Sequence, residues 1–456
     1  MMKKNILVIL ISLAAASFTS CKKFVQEPPP KNQLISSTVF ADSVGASAAL
    51  NGVYINLMQN YGFSFSNGGI TAFTGLTGDE LYESTFSPPD EELYNNAITI
   101  SNADAQLLWT TAYQSIYLVN ACISGIENST TISTSAKNSM TSEALVIRSF
   151  LYFNLVNIYG DVPLIIGTDY TVNEKIGRSP VNIVYQQIIA DLQAAQSGLL
   201  RSLNNNTRAN YYAATALLAK VFLYTKQYSN AITQSDAILT SGNFSLEPDP
   251  NSVFMAASHE TIWCFAPVIP NLATMEGYLF VPSSSGVIPP YLITNSLYGS
   301  FEDRDLRKLD WIGVDTVSNQ LYPFPFKYKT GRVSGMPNEN YVVLRLADIY
   351  LIEAEAKGNM NNITGALADL NVVRHRAGLQ NLVMNSQSDL LTAVNSERQH
   401  EFFCEWGNRW YDVNRLNLAQ SILEIEKHGW KSTADLFPIP QNEINLNPAL
   451  KQNPGY

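Results

Sequence analysis

Helical periodicity that runs along most of the chain, and arrives in pairs, limits the fold more than any other feature. Apolar residues at three- and four-residue spacing predict helices over 38–59, 101–127, 137–159, 180–199, 208–226, 229–241, 341–357, 363–377, 387–405 and 408–424. Within Ala213–Leu239 the order Leu218, Ala219, Phe222, Tyr228, Ala231 alternates small and large residues, as the two interlocking helices of a tetratricopeptide repeat do. Comparable pairings are legible for Glu143–Tyr159 with Val181–Leu200 and for Arg345–Ala356 with Ala366–Arg376, without the strict period of about 34 residues.

Two stretches, 60–100 and 243–340, break this pattern. Both are rich in Gly, Pro and Ser, and both far exceed the usual connection of about 4–6 residues. Their aromatics argue for order: Tyr61, Phe63, Tyr82, Phe86 and Tyr94 in the first, Tyr291, Tyr298, Trp311, Tyr322 and Tyr328 in the second. A β-hairpin is expected around DWIGVDT, residues 310–316. The expected fold class is therefore mainly α: a tetratricopeptide-like helical-repeat scaffold, with long irregular loops and minor β-hairpins forming a ligand-binding portion. The divisions are 37–242, an N-terminal helical region, 243–340, an irregular insertion, and 341–456, a C-terminal helical region.

The charge balance excludes some partners. Twenty-nine Lys and Arg stand against 39 Asp and Glu, a net charge of −10, and the longest basic runs are pairs. Nucleic acid is bound by clustered basic side chains, so no nucleic-acid partner is expected. Cys21, Cys122, Cys264 and Cys404 lie too far apart in sequence for a CxxC site, and the last three read as separate buried thiols.

Residues 1–20 read as a signal peptide: Lys3 and Lys4 precede an apolar run from Ile6 to Ala16 that is too short to span a bilayer. Cys21 after Thr19 and Ser20 resembles the lipidated cysteine of bacterial lipoproteins. Residues 21–36, with Pro28, Pro29 and Pro30, then read as an extended tether.

Four blocks carry a wider resemblance: EALVIRSFLYFNLVNIYGDVPLI (143–165) followed by RSPVNIVYQQIIADL (178–192), YVVLRLADIYLIEAEA (341–356) with LADLNVVRHRAGL (367–379), ERQHEFFCEWGNRWYDVNRL (397–416), and LFPIPQNEINLNPALKQNPGY (436–456). Together with Cys21 they resemble the SusD/RagB family of outer-membrane nutrient-binding lipoproteins over nearly the whole mature chain. The resemblance implies a non-catalytic protein, lipid-anchored in the outer membrane at the cell surface, that captures glycan and delivers it to a TonB-dependent, SusC-like transporter. It implies that the helical repeats face the transporter and the loops face the nutrient. No cofactor, metal or catalytic residue is expected.

Several tempting groups read better as structure. His400 and Glu401 open HEFFC, but Cys404 stands where a zinc protease has its second His. Glu397, Glu401, Glu405 and Arg409 recur at four-residue steps and suit ion pairs on one helical face, with Gly407 as an interruption. Arg345, Asp348, Glu353 and Glu355 lie in an apolar helix and must be paired, with Arg374 and Arg376 as expected partners. Glu302, Asp303, Asp305 and Asp90, Glu91, Glu92 offer carboxylates without diagnostic spacing.

Sugars present apolar C–H faces rimmed by hydroxyls, which call for flat aromatics beside polar side chains. The first stretch offers Tyr82, Phe86 and Tyr94 with Asp79 and Glu80; the second offers Tyr298 and Trp311 with Asn295 and Arg304. Core packing is the competing role for each aromatic. A surface glycosidase, which needs two carboxylates about 5–9.5 Å apart, and a helical-repeat adaptor or peptide-binding lipoprotein are the alternative readings.

Overall fold

Short polar side chains set where the helices begin. Asn102, Ser133, Asn210, Asn362 and Ser386 each accept a backbone N–H from the first turn that follows. The computed structural model describes residues 36–203, 205–331, 338–427 and 429–456, so the signal peptide, Cys21 and the prolines of the tether lie outside the described residues. Helices of eight residues or more are α1 (Ser43–Met58), α2 (Gly69–Thr77), α3 (Ala103–Asn128), α4 (Thr134–Tyr159), α5 (Val181–Gly198), α6 (Tyr211–Tyr224), α7 (Tyr228–Leu239), α8 (Leu346–Asn359), α9 (Ile363–Arg376), α10 (Gln387–Phe402), α11 (Asn408–Arg415) and α12 (Ala419–Glu426).

The expected pairs form. α4 packs on α5, α6 on α7, and α8 on α9. Between Ser142 and Tyr159 nearly every residue of α4 is buried, because α1, α3, α5 and α6 all pack on it. A helix apolar all round belongs in such a core. The protein is mainly helical.

The strands are short: β1 (Leu81–Glu83), β2 (Thr261–Phe265), β3 (Tyr291–Ile293), β4 (Ile312–Val317), β5 (Gln320–Pro325) and β6 (Tyr341–Arg345). They form three antiparallel two-stranded sheets, β1 with β3, β2 with β6, and β4 with β5. The last is the hairpin expected from DWIGVDT, closed by Ser318 and Asn319, both at positive φ.

Three helical expectations need correction. Residues 341–345 are strand, not helix: Val342 and Val343 favour a pleated surface, and pairing with β2 buries Val342 and Leu344, so the helix starts at Leu346. The segment 387–405 stops at Phe402, since Cys404 and Trp406 turn left-handed before Gly407 starts α11. The segment 408–424 splits into α11 and α12 at Asn417, also left-handed. The two stretches expected to be irregular hold α2 and the short helices Pro88–Tyr94, Met275–Phe280, Asn295–Ser300 and Leu306–Trp311.

A buried ionic joint ties the insertion to the helices. Arg345 donates to Glu260 (2.9 Å), Glu401 (2.5 Å) and Glu405 (2.9 Å), and Arg376 reaches the same Glu260 and Glu401. Arg307 bridges Asp305, Glu397 and Glu401. The expected partnership of Arg374 and Arg376 with the α8 acids is overturned: Asp348 meets Lys220 and Arg398, Glu355 meets Arg415, and Glu353 meets Lys357. Arg409 likewise leaves the glutamate row and pairs with Asp79 at 2.5 Å. Cys122, Cys264 and Cys404 are separate buried thiols. Among the described residues no helix is long and apolar enough to cross a membrane.

Candidate functional site

The two aromatic-rich stretches meet at one seam. β1 aligns with β3 so that Tyr82 lies opposite Leu292 and Glu83 opposite Tyr291. Ser84 extends the pairing, its N–H donating to Pro290 O at 2.8 Å and its hydroxyl to Pro289 O at 2.5 Å. Strand alternation then turns Leu81 into the core and leaves Tyr82 half-buried. Burial, and after it the neighbouring phenols of Tyr322 and Tyr94, push the Tyr82 phenol above its ordinary pKa. Phe86, four residues after Tyr82 in the chain, is 77% exposed. Pro290 also lines a groove of about 720 Å³ walled by Leu279, Val281, Pro282, Val287 and Ile288.

This seam can offer flat rings to a ligand. Tyr82, Tyr94 and Tyr322 are each half-buried, and Lys427 sits 3.9 Å from the Tyr94 ring centre while donating to Leu76 O. Burial holds that ammonium down at about 7. Tyr322 was missing from the predicted set. It is one aromatic among many in 243–340, and only the register of β5 and its closeness to Tyr82 single it out.

Three predicted residues are corrected by their burial. Trp311 is fully buried, donates Nε1–H to Pro250 O at 2.9 Å and has Lys327 4.7 Å from its ring centre, so no face is free for a sugar. Asp79 is bound by Arg409 through two hydrogen bonds. Glu80 accepts the backbone N–H of Cys404, and burial, with Asp79 beside it, pushes its carboxyl up to about 8. Glu80 clamps the turn at 403–407, and Asp79 the first turn of α11, to the first stretch instead of facing a ligand. Of the others, Asn295 and Arg304 are exposed, Arg304 at φ 69°, and Tyr298 is half-buried under Lys308, 4.4 Å from its ring centre. They follow β3 along the chain, on and just beyond the short helix that Thr294 caps.

The remaining groups are structural. His400 is buried against the Phe301 ring and bonded to the Ser300 hydroxyl at 2.9 Å. Among the described residues no cluster of three His, Cys, Asp or Glu could hold a metal ion. The sequence blocks have physical tasks too. Gly160 ends α4 at φ 72°, a conformation that favours glycine. Asp161 then accepts Val181 N–H at the start of α5, and Arg178 donates to Asp161 O, Lys451 O and Asn453 Oδ1. Asn453 donates to Tyr159 O and Phe437 O, so the C-terminal block closes on the Tyr-Gly-Asp turn.

Comparison with known proteins accounts for these blocks. The SusD family model matches residues 313–456, and a second, described as starch-binding associating with outer membrane, matches residues 31–223. The chain belongs to the SusD/RagB family. Among its SusD-like relatives, protein P2 of Formosa agariphila is 26% identical, the match covering 100% of this chain and 99% of that one. A SusD superfamily protein from Bacteroides vulgatus superposes with a TM-score of 0.80 at 20% identity, covering 91% of this chain and 99% of the other. A laminarin-binding SusD-like protein superposes with a TM-score of 0.73 at 24% identity, covering 91% and 99%. As a SusD/RagB protein the chain is not an enzyme.

Proposed function

We propose that this protein is a lipid-anchored glycan-binding component of an outer-membrane uptake system. In this reading Cys21 carries the lipid, the seam between β1 and β3 captures polysaccharide or oligosaccharide, and a TonB-dependent SusC-like transporter receives it. The observation that carries the reading is the gathering of Tyr82, Tyr94 and Tyr322, together with exposed Phe86 and an apolar groove. Aromatic faces stack on the C–H faces of sugars while phenols and nearby carboxylates take hydroxyls. Family membership and the laminarin-binding relative support the same ligand class. Delivery is supported by a second surface on the helical side. There Trp109, Tyr113, Tyr117, Tyr170 and Leu446 line a cleft of about 370 Å³, with Tyr117 52% and Tyr170 75% exposed, a face suited to a protein partner.

The test uses lipid-free protein, residues 22–456, run through native gels that contain a panel of polysaccharides, with each mixture analysed for shortened products. Retardation by at least one polysaccharide without products is the expected result. Products would revive the glycosidase reading, and no retardation across neutral and charged polysaccharides would favour a peptide ligand or an adaptor.

A further inference from the structure

Besides Ser84 and the buried Leu93, the segment that carries Phe86 and Tyr94 is fastened by a cluster of acids. Asp90, on helix Pro88–Tyr94, is 7% exposed and accepts the Tyr291 hydroxyl of β3 at 3.0 Å. The Asp104 carboxyl, in the first turn of α3, faces it within hydrogen-bonding reach. Asp104 Oδ2 and, nearby on β1, Glu83 Oε2 are buried without another hydrogen-bond partner. Two carboxylates in such contact cannot both be ionised without strong repulsion, and a shared proton both removes the repulsion and makes a short, strong bond.

The surroundings do not supply a counter-charge. Helix Pro88–Tyr94 packs on α2, β1 and α3. α2 has no titratable side chain, β1 brings Tyr82 and Glu83, α3 brings Asp104, β3 brings Tyr291, and the helix itself adds Glu91, Glu92 and Tyr94. Glu92 is engaged by Thr99 and Asn102, and the Lys427 ammonium lies at the far end of the helix over Tyr94.

We propose that Asp90 and Asp104 share one proton and together position the Tyr82–Tyr94 edge of the seam, as a latch that loses its grip when that proton leaves. Burial and the neighbouring acids Asp90, Glu92 and Glu83 push Asp104 up to about 7, which sets the latch to open near neutrality. Because the closed state holds one more proton than the open state between the ordinary carboxylate range and that point, opening should rise by up to about tenfold per pH unit over that window and level off above it. Ligand capture, on the proposed function, should weaken in parallel.

Hydrogen exchange of residues 22–456, read by mass spectrometry and corrected for the intrinsic pH dependence, tests the latch without any ligand. Peptides spanning 83–94 should lose protection steadily as the pH rises from the ordinary carboxylate range to about 7 and lose no more above it, while peptides from α5 stay constant. Asp104→Asn supplies a permanent donor and should hold 83–94 protected at every pH; Asp90→Asn should do the same from the other side, and serves if the first variant loses α5 protection. Protection of 83–94 that ignores pH in the wild type, or a pH slope that survives in a folded Asn variant, would overturn the proposal. Failure to bind any polysaccharide would count against the proposed function and leave the exchange result to decide the latch.

Discussion

Glu401 is fully buried and receives Arg307, Arg345 and Arg376, which, against the cost of burial, hold its carboxyl well below the usual range. Such groups tolerate burial only while paired. Arg345→Met would take one cation at once from Glu260, Glu401 and Glu405, leaving them to Arg376, Arg307 and Lys327, and should destabilise the fold by about 3–5 kcal/mol, read as a lower midpoint in urea unfolding. Glu80 makes the opposite prediction. Its folded pKa of about 8 exceeds its ordinary 4.5, so its contribution to stability is complete below about pH 4.5 and is lost as the pH rises to about 8. Calorimetry across that window should find a flatter fall of Tm in Glu80→Gln. The four-residue spacing of Glu397, Glu401 and Glu405 made a paired network legible. Its partners were not, because Glu260, Arg307 and Lys327 come from the insertion and share no local pattern with them. Trp311 failed as a ligand residue for the same reason: tryptophan suits a sugar platform and a core equally, and only burial decides.

At the scale of elements, long helices and their pairing were readable because their apolar stripes repeat. Strands of three to six residues were not, apart from the β4–β5 hairpin with its local turn. The β1–β3 pairing joins residues some 210 positions apart, as Leu81 with Ile293, and no local signal announces it. Hence the two aromatic stretches were recognised while their meeting was not. The hairpin depends on a close approach, since a Cβ at Gly313 would enter the Phe324 ring. Gly313→Val should displace β5 and Tyr322 at a cost of about 1–3 kcal/mol. Exchange protection should fall across 312–325 with α4 unchanged.

At the scale of the whole molecule two surfaces stand apart: an aromatic seam built by residues 243–340 and the first irregular stretch, and an apolar cleft on α3 and the C-terminal block. Changes on one should leave the other intact. Tyr117→Ser with Tyr170→Ser should weaken co-purification with a membrane partner and leave glycan retardation unchanged. The central claim is that the seam binds glycan without turnover. Isothermal titration of residues 22–456 with a polysaccharide that retards the protein, compared with the double variant Tyr82→Ala and Tyr322→Ala, tests it most directly. Stacking of one ring is worth about 1 kcal/mol, so the account predicts at least a tenfold loss of affinity in the double variant with its melting temperature preserved. Unchanged affinity in that folded variant would contradict it.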